Sequence, residues 1–90
     1  MTTRRVTIIN KSGLHARPAS DFALKAKEFA SKITIRNLDS NGAAVNTKSM
    51  LRILGESFSQ GTNAEIAADG ADEQQAVDSL ATLIESGFGE

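Results

Sequence analysis

Residues 32–46 read KITIRNLDSNGAAVN and show a strand–turn–strand pattern. In its first half Ile33 and Ile35 alternate with polar residues, as expected for a β-strand with one buried and one exposed face. The Asn-Gly pair at 41–42 is typical of a turn, and a second short strand is predicted around Val45. The stretch therefore predicts a β-hairpin in a sheet that is covered on one face only.

Three amphipathic helices are predicted around this hairpin. Between Ala16 and Ala30 the apolar residues recur at spacings of three and four, so one helical face can pack on a core. The predicted buried face consists of Ala19, Phe22, Ala23, Ala26, Phe29 and Ala30. A short second helix is predicted from Thr47 to Leu54, with Gly55 as its stop.

The third helix is predicted to carry two acidic residues at 72–73, near the positive end of its dipole, and to end at Gly87. Its buried face consists of Ala76, Val77, Leu80, Ala81, Leu83 and Ile84. Two further strands are predicted, one from Val6 to Ile9 and one within residues 62–69, where apolar residues alternate. The order βαββαβα predicts an α/β (α+β) open-faced sandwich, and we expect a single domain over residues 1–90.

Composition limits the classes of function. Ten Lys and Arg against eleven Asp and Glu give a net charge of −1, so the chain as a whole does not attract nucleic acid or anionic lipid. The lack of Tyr and Trp also argues against a nucleic-acid-binding domain that stacks bases. The absence of cysteine excludes disulfides and thiol catalysis, and no stretch is typical of a signal peptide or a membrane span. We therefore expect a cytoplasmic protein that does not insert into membranes.

Residues 12–19, SGLHARPA, contain the only histidine and the only proline of the chain. If the first helix starts near Ala16, Pro18 lies in its first turn, where a missing N–H costs nothing. The unpaired N–H groups of that turn favour an anion beside the His15 ring. The planar guanidinium of Arg17 suits phosphate oxygens. The stretch is therefore consistent with a phosphate-binding loop.

The same residues also fit a plainer interpretation, in which His15 is a surface residue or a helix cap. Ser12 is a candidate cap through its hydroxyl, and Gly13 tolerates unusual backbone angles. A single histidine without cysteine falls short of a transition-metal site. We accordingly predict no metal and no cofactor.

Three quoted segments together carry a resemblance to a known family. They are SGLHARPAS at residues 12–20, VNTKSMLRIL at 45–54 and QGTNAEIAADGADEQQAV at 60–77. In register over nearly the whole chain, they resemble HPr, the histidine-containing phosphocarrier of the bacterial sugar phosphotransferase system. The resemblance implies a four-stranded antiparallel sheet with three helices on one face.

The resemblance also implies a role for each residue of the loop. It implies that His15 accepts a phosphoryl group on Nδ1 from phosphorylated Enzyme I and passes it to a sugar-specific Enzyme IIA. Arg17 corresponds to the arginine that stabilises this group, and Ser12 lies where the family uses Ser or Asn near the ring. Ala16 would contribute a backbone N–H and Pro18 the start of the helix. The protein would then be a carrier with a transient phosphohistidine rather than an enzyme.

Regulation and docking follow from the same resemblance. Ser49 corresponds to a serine that an ATP-dependent kinase phosphorylates in many Gram-positive members as a catabolite signal. This implies a serine kinase/phosphorylase and a catabolite-control transcription factor as possible further partners. The partner-docking residues would be Leu24, Lys27, Met50, Leu51 and Leu54. We expect the chain to act as a monomer.

The chain departs from the family pattern at several points. The segment between His15 and Ser49 is longer than usual, and we assign the extra length to the hairpin. Glu56 and Ser57 stand where members often have Leu-Gly, and Leu24 occupies a position that is often polar. Two alternatives remain open: a paralogous carrier of a nitrogen or other regulatory branch, and a regulatory interaction module that acts through phosphorylated Ser49.

Overall fold

The computed structural model describes residues 1–89, so the last residue of the predicted domain lies outside the described part. The elements are β1 (Thr2–Thr7), α1 (Ala16–Ala26), β2 (Lys32–Asn37), β3 (Val45–Asn46), α2 (Met50–Leu54), β4 (Asn63–Asp69) and α3 (Glu73–Glu85), followed by a short 3-10 turn (Gly87–Gly89). This order confirms the predicted βαββαβα arrangement. Within residues 1–89, no helix has both the length and the apolar character that crossing a membrane requires.

The four strands form one antiparallel sheet in the order β1-β4-β2-β3. Ile35 of β2 lies opposite Ile66 of β4 on one side and Val45 of β3 on the other. Burial alternates along β2 and β4, because one face of the sheet packs against the helices and the other is open. The largest fully buried side chains are Phe22, Phe58, Ile8, Leu14, Ile33, Ile35, Ile53, Ile66, Leu80, Ile84, Val77 and Thr47. The predicted open-faced sandwich is therefore confirmed.

The first strand and the first helix differ from their predicted bounds. Strand β1 spans Thr2–Thr7, so the prediction of Val6 to Ile9 was wrong by several residues. Only one face of β1 is covered, and most of its residues are polar. The apolar run that indicated a strand begins at Val6, near the end of β1. Helix α1 ends at Ala26, and Ala30 is exposed instead of buried.

Helix α2 begins at Met50 instead of the predicted Thr47. Thr47 is fully buried, and its N–H and hydroxyl both donate to the Ile33 carbonyl oxygen, at 3.1 and 3.2 Å. These bonds tie the preceding segment to β2, which delays the start of the helix. In α3, Asp72 is the N-cap residue instead of a member of the first turn. Leu83, predicted to be buried, is only partly buried against the core.

The turn formed by residues 27–31, between α1 and β2, is held by side chains from two other segments of the chain, just before α2 and just before α3. The Asp72 carboxylate accepts hydrogen bonds from the backbone N–H groups of Ala30 (2.8 Å) and Ser31 (3.0 Å) and from the Ser31 hydroxyl. The Ser31 hydroxyl and the Ala30 N–H lower the pKa of Asp72 from its usual value of 3.8. The Lys48 ammonium donates to the carbonyl oxygens of Phe29 (2.7 Å) and Ser31 (3.0 Å). The 27–31 turn is thus bound by an anion on its donor side and a cation on its acceptor side.

Candidate functional site

The loop before α1 is anchored to the core at two residues. Gly13 has a φ of +61°, and the Asn10 side-chain amide donates to its carbonyl oxygen at 2.9 Å. The Leu14 N–H donates to the Phe58 carbonyl oxygen at 2.8 Å, and the Leu14 side chain is fully buried. These contacts place the next residue, His15, at a defined point at the edge of the core.

His15 is the N-cap residue of α1, with extended backbone angles, and its side chain is exposed. The imidazole makes no capping hydrogen bond. His15 therefore occupies the N-cap position, but its side chain does not cap the helix. Within residues 1–89 the ring has no hydrogen-bond or ion-pair partner, so both nitrogens are available to a ligand.

The first residues of α1 follow this histidine directly. Ala16 has a φ of 48°, in the left-handed region, which costs an L-residue about 1–2 kcal/mol. Pro18 is the third helical residue and is buried, so the expected position in the first turn is confirmed. Because the first N–H groups of a helix have no partner within it, those of Ala16 and Arg17 remain for an anion.

Arg17 is exposed and forms no ion pair among the described residues. With Pro18, Asp21, Phe88 and Gly89 it lines a depression of about 370 Å³. Ser12 is exposed in the loop before His15. One end of α1 therefore carries an imidazole and a guanidinium that have no partner within residues 1–89, together with helix N–H groups, and such groups can bind and stabilise a phosphoryl group.

The predicted docking residues lie on two neighbouring helices. Leu24 on α1 is 59% exposed, and on α2 Met50 and Leu51 are 36% and 82% exposed. Lys27, just after α1, is also exposed. Leu54 differs from the others, because it is half-buried and packs against the core. We call Leu24, Lys27, Met50 and Leu51 the docking patch.

Ser49 is the N-cap residue of α2 instead of a residue of its first turn. Its hydroxyl accepts a hydrogen bond from the Arg52 N–H at 3.4 Å, and the residue is half-buried. With Ala44, Val45, Asn46 and Arg52 it lines an open depression of about 460 Å³.

Two of the departures from the family pattern come together in space. The Glu56 carboxylate lies beside Gly42 in the hairpin turn, where a β-carbon on Gly42 would be 2.7 Å from Oε1. The buried Asn37 donates from its side-chain amide to the Ser57 carbonyl oxygen at 2.9 Å. The hairpin therefore contacts the segment at 56–57.

Sequence reasoning missed the supporting roles of Asn37, Lys48 and Phe58. Asn37 had a local signal, because its side-chain oxygen accepts from the N–H groups of Asp39 and Ser40, as asparagine does at the start of turns. The contacts of Lys48 and Phe58 join residues far apart in the sequence and left no local pattern.

Comparison with known proteins decides the family. The family model described as "PTS HPr component phosphorylation site" matches residues 2–86. The chain belongs to the HPr family. It is thus an HPr-type phosphocarrier of the phosphotransferase system.

Individual relatives agree with this assignment and differ in branch. The chain is 44% identical over 84 residues to phosphocarrier protein HPr of Haemophilus influenzae, covering 93% of this chain and 95% of the relative. It is 39% identical over 87 residues to phosphocarrier protein NPr of Proteus mirabilis, covering 97% and 94%. The multiphosphoryl transfer protein of Haemophilus influenzae is 40% identical over 84 residues; the match covers 93% of this chain but only 17% of that much longer protein.

Solved structures of the HPr family have the same fold. HPr-C-His from Thermoanaerobacter tengcongensis superposes with a TM-score of 0.93 at 41% identity, covering 100% of this chain and 98% of that one. The crystal structure of Bacillus subtilis Crh, a catabolite repression protein described as a domain-swapped dimer, superposes with a TM-score of 0.74 at 33% identity, covering 97% of both chains.

Proposed function

We propose that this chain carries phosphoryl groups on His15, accepting them from phosphorylated Enzyme I and passing them to a sugar-specific Enzyme IIA. The observation that carries this proposal is the exposed imidazole at the N-terminus of α1, which has no partner among the described residues. In the transfer from Enzyme I, a bond forms between phosphorus and Nδ1 of His15 while the bond from phosphorus to the donor atom of Enzyme I breaks. Transfer to Enzyme IIA reverses these roles, so the carrier is regenerated.

The neighbouring residues would act by charge and position. Arg17 is exposed and unpaired within residues 1–89, so its guanidinium is available to bind the phosphoryl oxygens as charge accumulates on them. The Ala16 N–H adds a donor at the positive end of the helix dipole. Pro18 lies in the first turn of the helix, and Ser12 lies in the loop before His15. Phosphoryl transfer requires mainly such in-line positioning and charge stabilisation.

Partners would bind beside His15 through the docking patch. Exposed apolar side chains surrounded by polar residues are typical of transient protein interfaces. Leu24, Met50 and Leu51 supply such side chains, and Lys27 adds a positive charge at their edge. We expect Leu54 to support this surface from the core side rather than to touch the partner. Because the phosphoryl groups would originate from phosphoenolpyruvate, the carrier would work in the cytoplasm. We also propose that it works as a monomer.

The test is incubation of the protein with phosphoenolpyruvate and Enzyme I. We expect an acid-labile, base-stable phosphate on the wild type and none on His15→Ala. Ser49→Ala is the control and should be labelled like the wild type. If the wild type stays unlabelled with Enzyme I from several bacteria, or if His15→Ala is labelled, the proposal fails.

The similarity to NPr supports a second candidate, a carrier for a nitrogen or other regulatory branch. Both branches would use His15, so the loop does not separate them. A comparison of kcat/KM for Enzyme I of the sugar branch and for its nitrogen-branch counterpart decides between them. A clear preference for the nitrogen-branch donor would refute the sugar assignment and leave the relay itself intact.

A regulatory role through Ser49 is supported by its N-cap position and by the similarity to Crh. A phosphate there would lie at the N-terminal end of α2 beside Arg52, which favours added negative charge. A serine kinase/phosphorylase would add and remove this phosphate, and a catabolite-control transcription factor would bind the phosphorylated protein. Incubation with the kinase and ATP should label the wild type but not Ser49→Ala. An unlabelled wild type that Enzyme I still phosphorylates would remove the regulatory role alone.

A further inference from the structure

The charged ammonium group of Lys48 binds backbone groups of a neighbouring turn. The side chain is half-buried, and its ammonium donates to the carbonyl oxygens of Phe29 at 2.7 Å and of Ser31 at 3.0 Å. Both carbonyls belong to the 27–31 turn that follows α1. A cation near the C-terminal end of a helix is favoured by the helix dipole, and hydrogen bonds from a charged donor are stronger than neutral ones.

Helix α2 needs such anchors, because it has only five residues. A helix of this length is not stable on its own, so its placement depends on the segments that flank it. Thr47 ties the preceding segment to β2 through the Ile33 carbonyl oxygen, and Ile53 inserts into the core. Neither contact reaches the end of α1. Lys48 links the segment before α2 to the 27–31 turn that follows α1, in addition to the direct packing of α1 on α2.

We propose that Lys48 is a positioning residue for partner docking, which holds α2 against the end of α1 so that the two halves of the docking patch form one surface. Leu24 and Lys27 belong to the α1 half, and Met50 and Leu51 to the α2 half. This inference rests on the proposed function, since it concerns the surface through which Enzyme I and Enzyme IIA would bind.

The geometry distinguishes this role from plain stabilisation of the core. Lys48 binds backbone groups of a turn, whereas Ile53 and Thr47 are fully buried. Loss of the ammonium should therefore let α2 shift without unfolding the sheet. The loop that contains His15 is held separately, by Asn10 and Phe58. We accordingly expect weaker docking and an unchanged chemical step.

The test compares Lys48→Met with Lys32→Met in transfer from phosphorylated Enzyme I. Lys32 is an exposed lysine on β2 whose side chain has no hydrogen bond or ion pair within residues 1–89, so its loss removes the same charge without the anchor. We expect Lys48→Met to raise KM about three- to tenfold and to leave kcat within about twofold, because two charge-assisted hydrogen bonds are lost away from the reacting atoms. Lys32→Met should leave both constants near the wild-type values. Lys48→Arg, which keeps the charge and the hydrogen-bond donors, should have a KM near the wild-type value.

A second measurement needs no partner. Methyl NMR spectra of the free protein should show shifted Met50 and Leu51 signals in Lys48→Met and wild-type signals in Lys32→Met. If Lys48→Met does not fold, Lys48→Gln replaces it, with a smaller expected rise in KM.

A folded Lys48 variant with unchanged KM and unchanged methyl signals would overturn the inference, and so would an equal rise in KM for Lys32→Met. If the wild type accepts no phosphoryl group, the proposed function fails, whereas the NMR comparison still decides whether Lys48 places α2.

Discussion

Gly13 and Phe58 approach so closely that a β-carbon on Gly13 would lie 2.2 Å from the Phe58 carbonyl oxygen. The same oxygen accepts the Leu14 N–H at 2.8 Å. One backbone group of the segment after α2 therefore fixes the loop that leads to His15. A glycine is required at position 13 both by this approach and by its positive φ of 61°.

Gly13→Ala should destabilise the protein by about 2–4 kcal/mol, because backbone strain adds to a clash that the buried Phe58 segment cannot relieve. Gly61→Ala is the matched control. Its φ of 89° is also positive, but a β-carbon there meets nothing within 4 Å, so we expect a cost of about 1 kcal/mol. Urea denaturation measures both values. Equal costs at the two positions would contradict the close approach at Gly13.

Arg17→Gln should lower kcat/KM for phosphoryl transfer about 10- to 100-fold, because it removes a charged donor from the phosphoryl oxygens. Its free energy of unfolding should stay within about 0.5 kcal/mol of the wild type, since the exposed Arg17 side chain has no ion pair within residues 1–89. Arg5→Gln, at an exposed arginine on β1, is the control for lost charge. A comparable loss of transfer in Arg5→Gln would assign the effect to net charge rather than to Arg17.

Leu51→Ala and Ile53→Ala separate docking from stability within a single helix. Ile53 is fully buried, so its truncation should cost about 2–5 kcal/mol of stability. Leu51 is 82% exposed, and its truncation should change stability by less than about 0.5 kcal/mol. Leu51→Ala should instead raise KM for phosphorylated Enzyme I about fivefold or more, as for a docking side chain. A normal KM in Leu51→Ala would remove this residue from the docking patch.

The stability of the fold should decrease in acid partly through Asp72. Hydrogen bonds from the Ser31 hydroxyl and the Ala30 N–H lower the pKa of this carboxyl below 3.8 in the folded state. The folded state therefore favours the ionised form, so the contribution is complete above the unfolded-state pKa and is lost as the pH falls through the lower folded-state pKa.

Unfolding experiments between about pH 6 and pH 2 should show a weaker pH dependence in Asp72→Asn than in the wild type. Part of the dependence should remain, because the Thr2 hydroxyl and the N-terminal ammonium lower the pKa of Glu73 as well. Asp69→Asn, at an exposed aspartate of β4, is the control and should retain the wild-type curve. An unaltered curve in Asp72→Asn would show that Asp72 is not responsible.

Local periodicity was enough to predict most of the elements. The predicted buried residues of α1 from Ala19 to Ala26 and the alternation of Ile33 and Ile35 are confirmed, because burial repeats every three to four residues in a helix and every second residue in a strand. The predicted start of β1 was wrong, because polar residues such as Thr2 also pair in a strand that is covered on one face only. The predicted end of α1 was wrong, because a turn interrupts the apolar pattern before Ala30.

In the candidate site, too, some features have a local signal in the sequence and others do not. The position of Pro18 in the first turn of α1 and the position of His15 just before it follow from the sequence, because helix starts have local signals. The left-handed φ of Ala16 has no such signal, because its short apolar side chain does not favour that region. The expected roles of the loop residues come from the resemblance to the HPr family. The fold places α1, which carries Leu24, beside α2, which carries Met50 and Leu51.

The order of the elements and most of their buried residues follow from local patterns, because these depend on residues a few positions apart. The strand order β1-β4-β2-β3, the contact of Gly13 with Phe58 and the binding of Lys48 to the carbonyls of Phe29 and Ser31 emerge only in the folded protein. These contacts join residues far apart in the chain, and they form only when burial of the shared core brings their segments together.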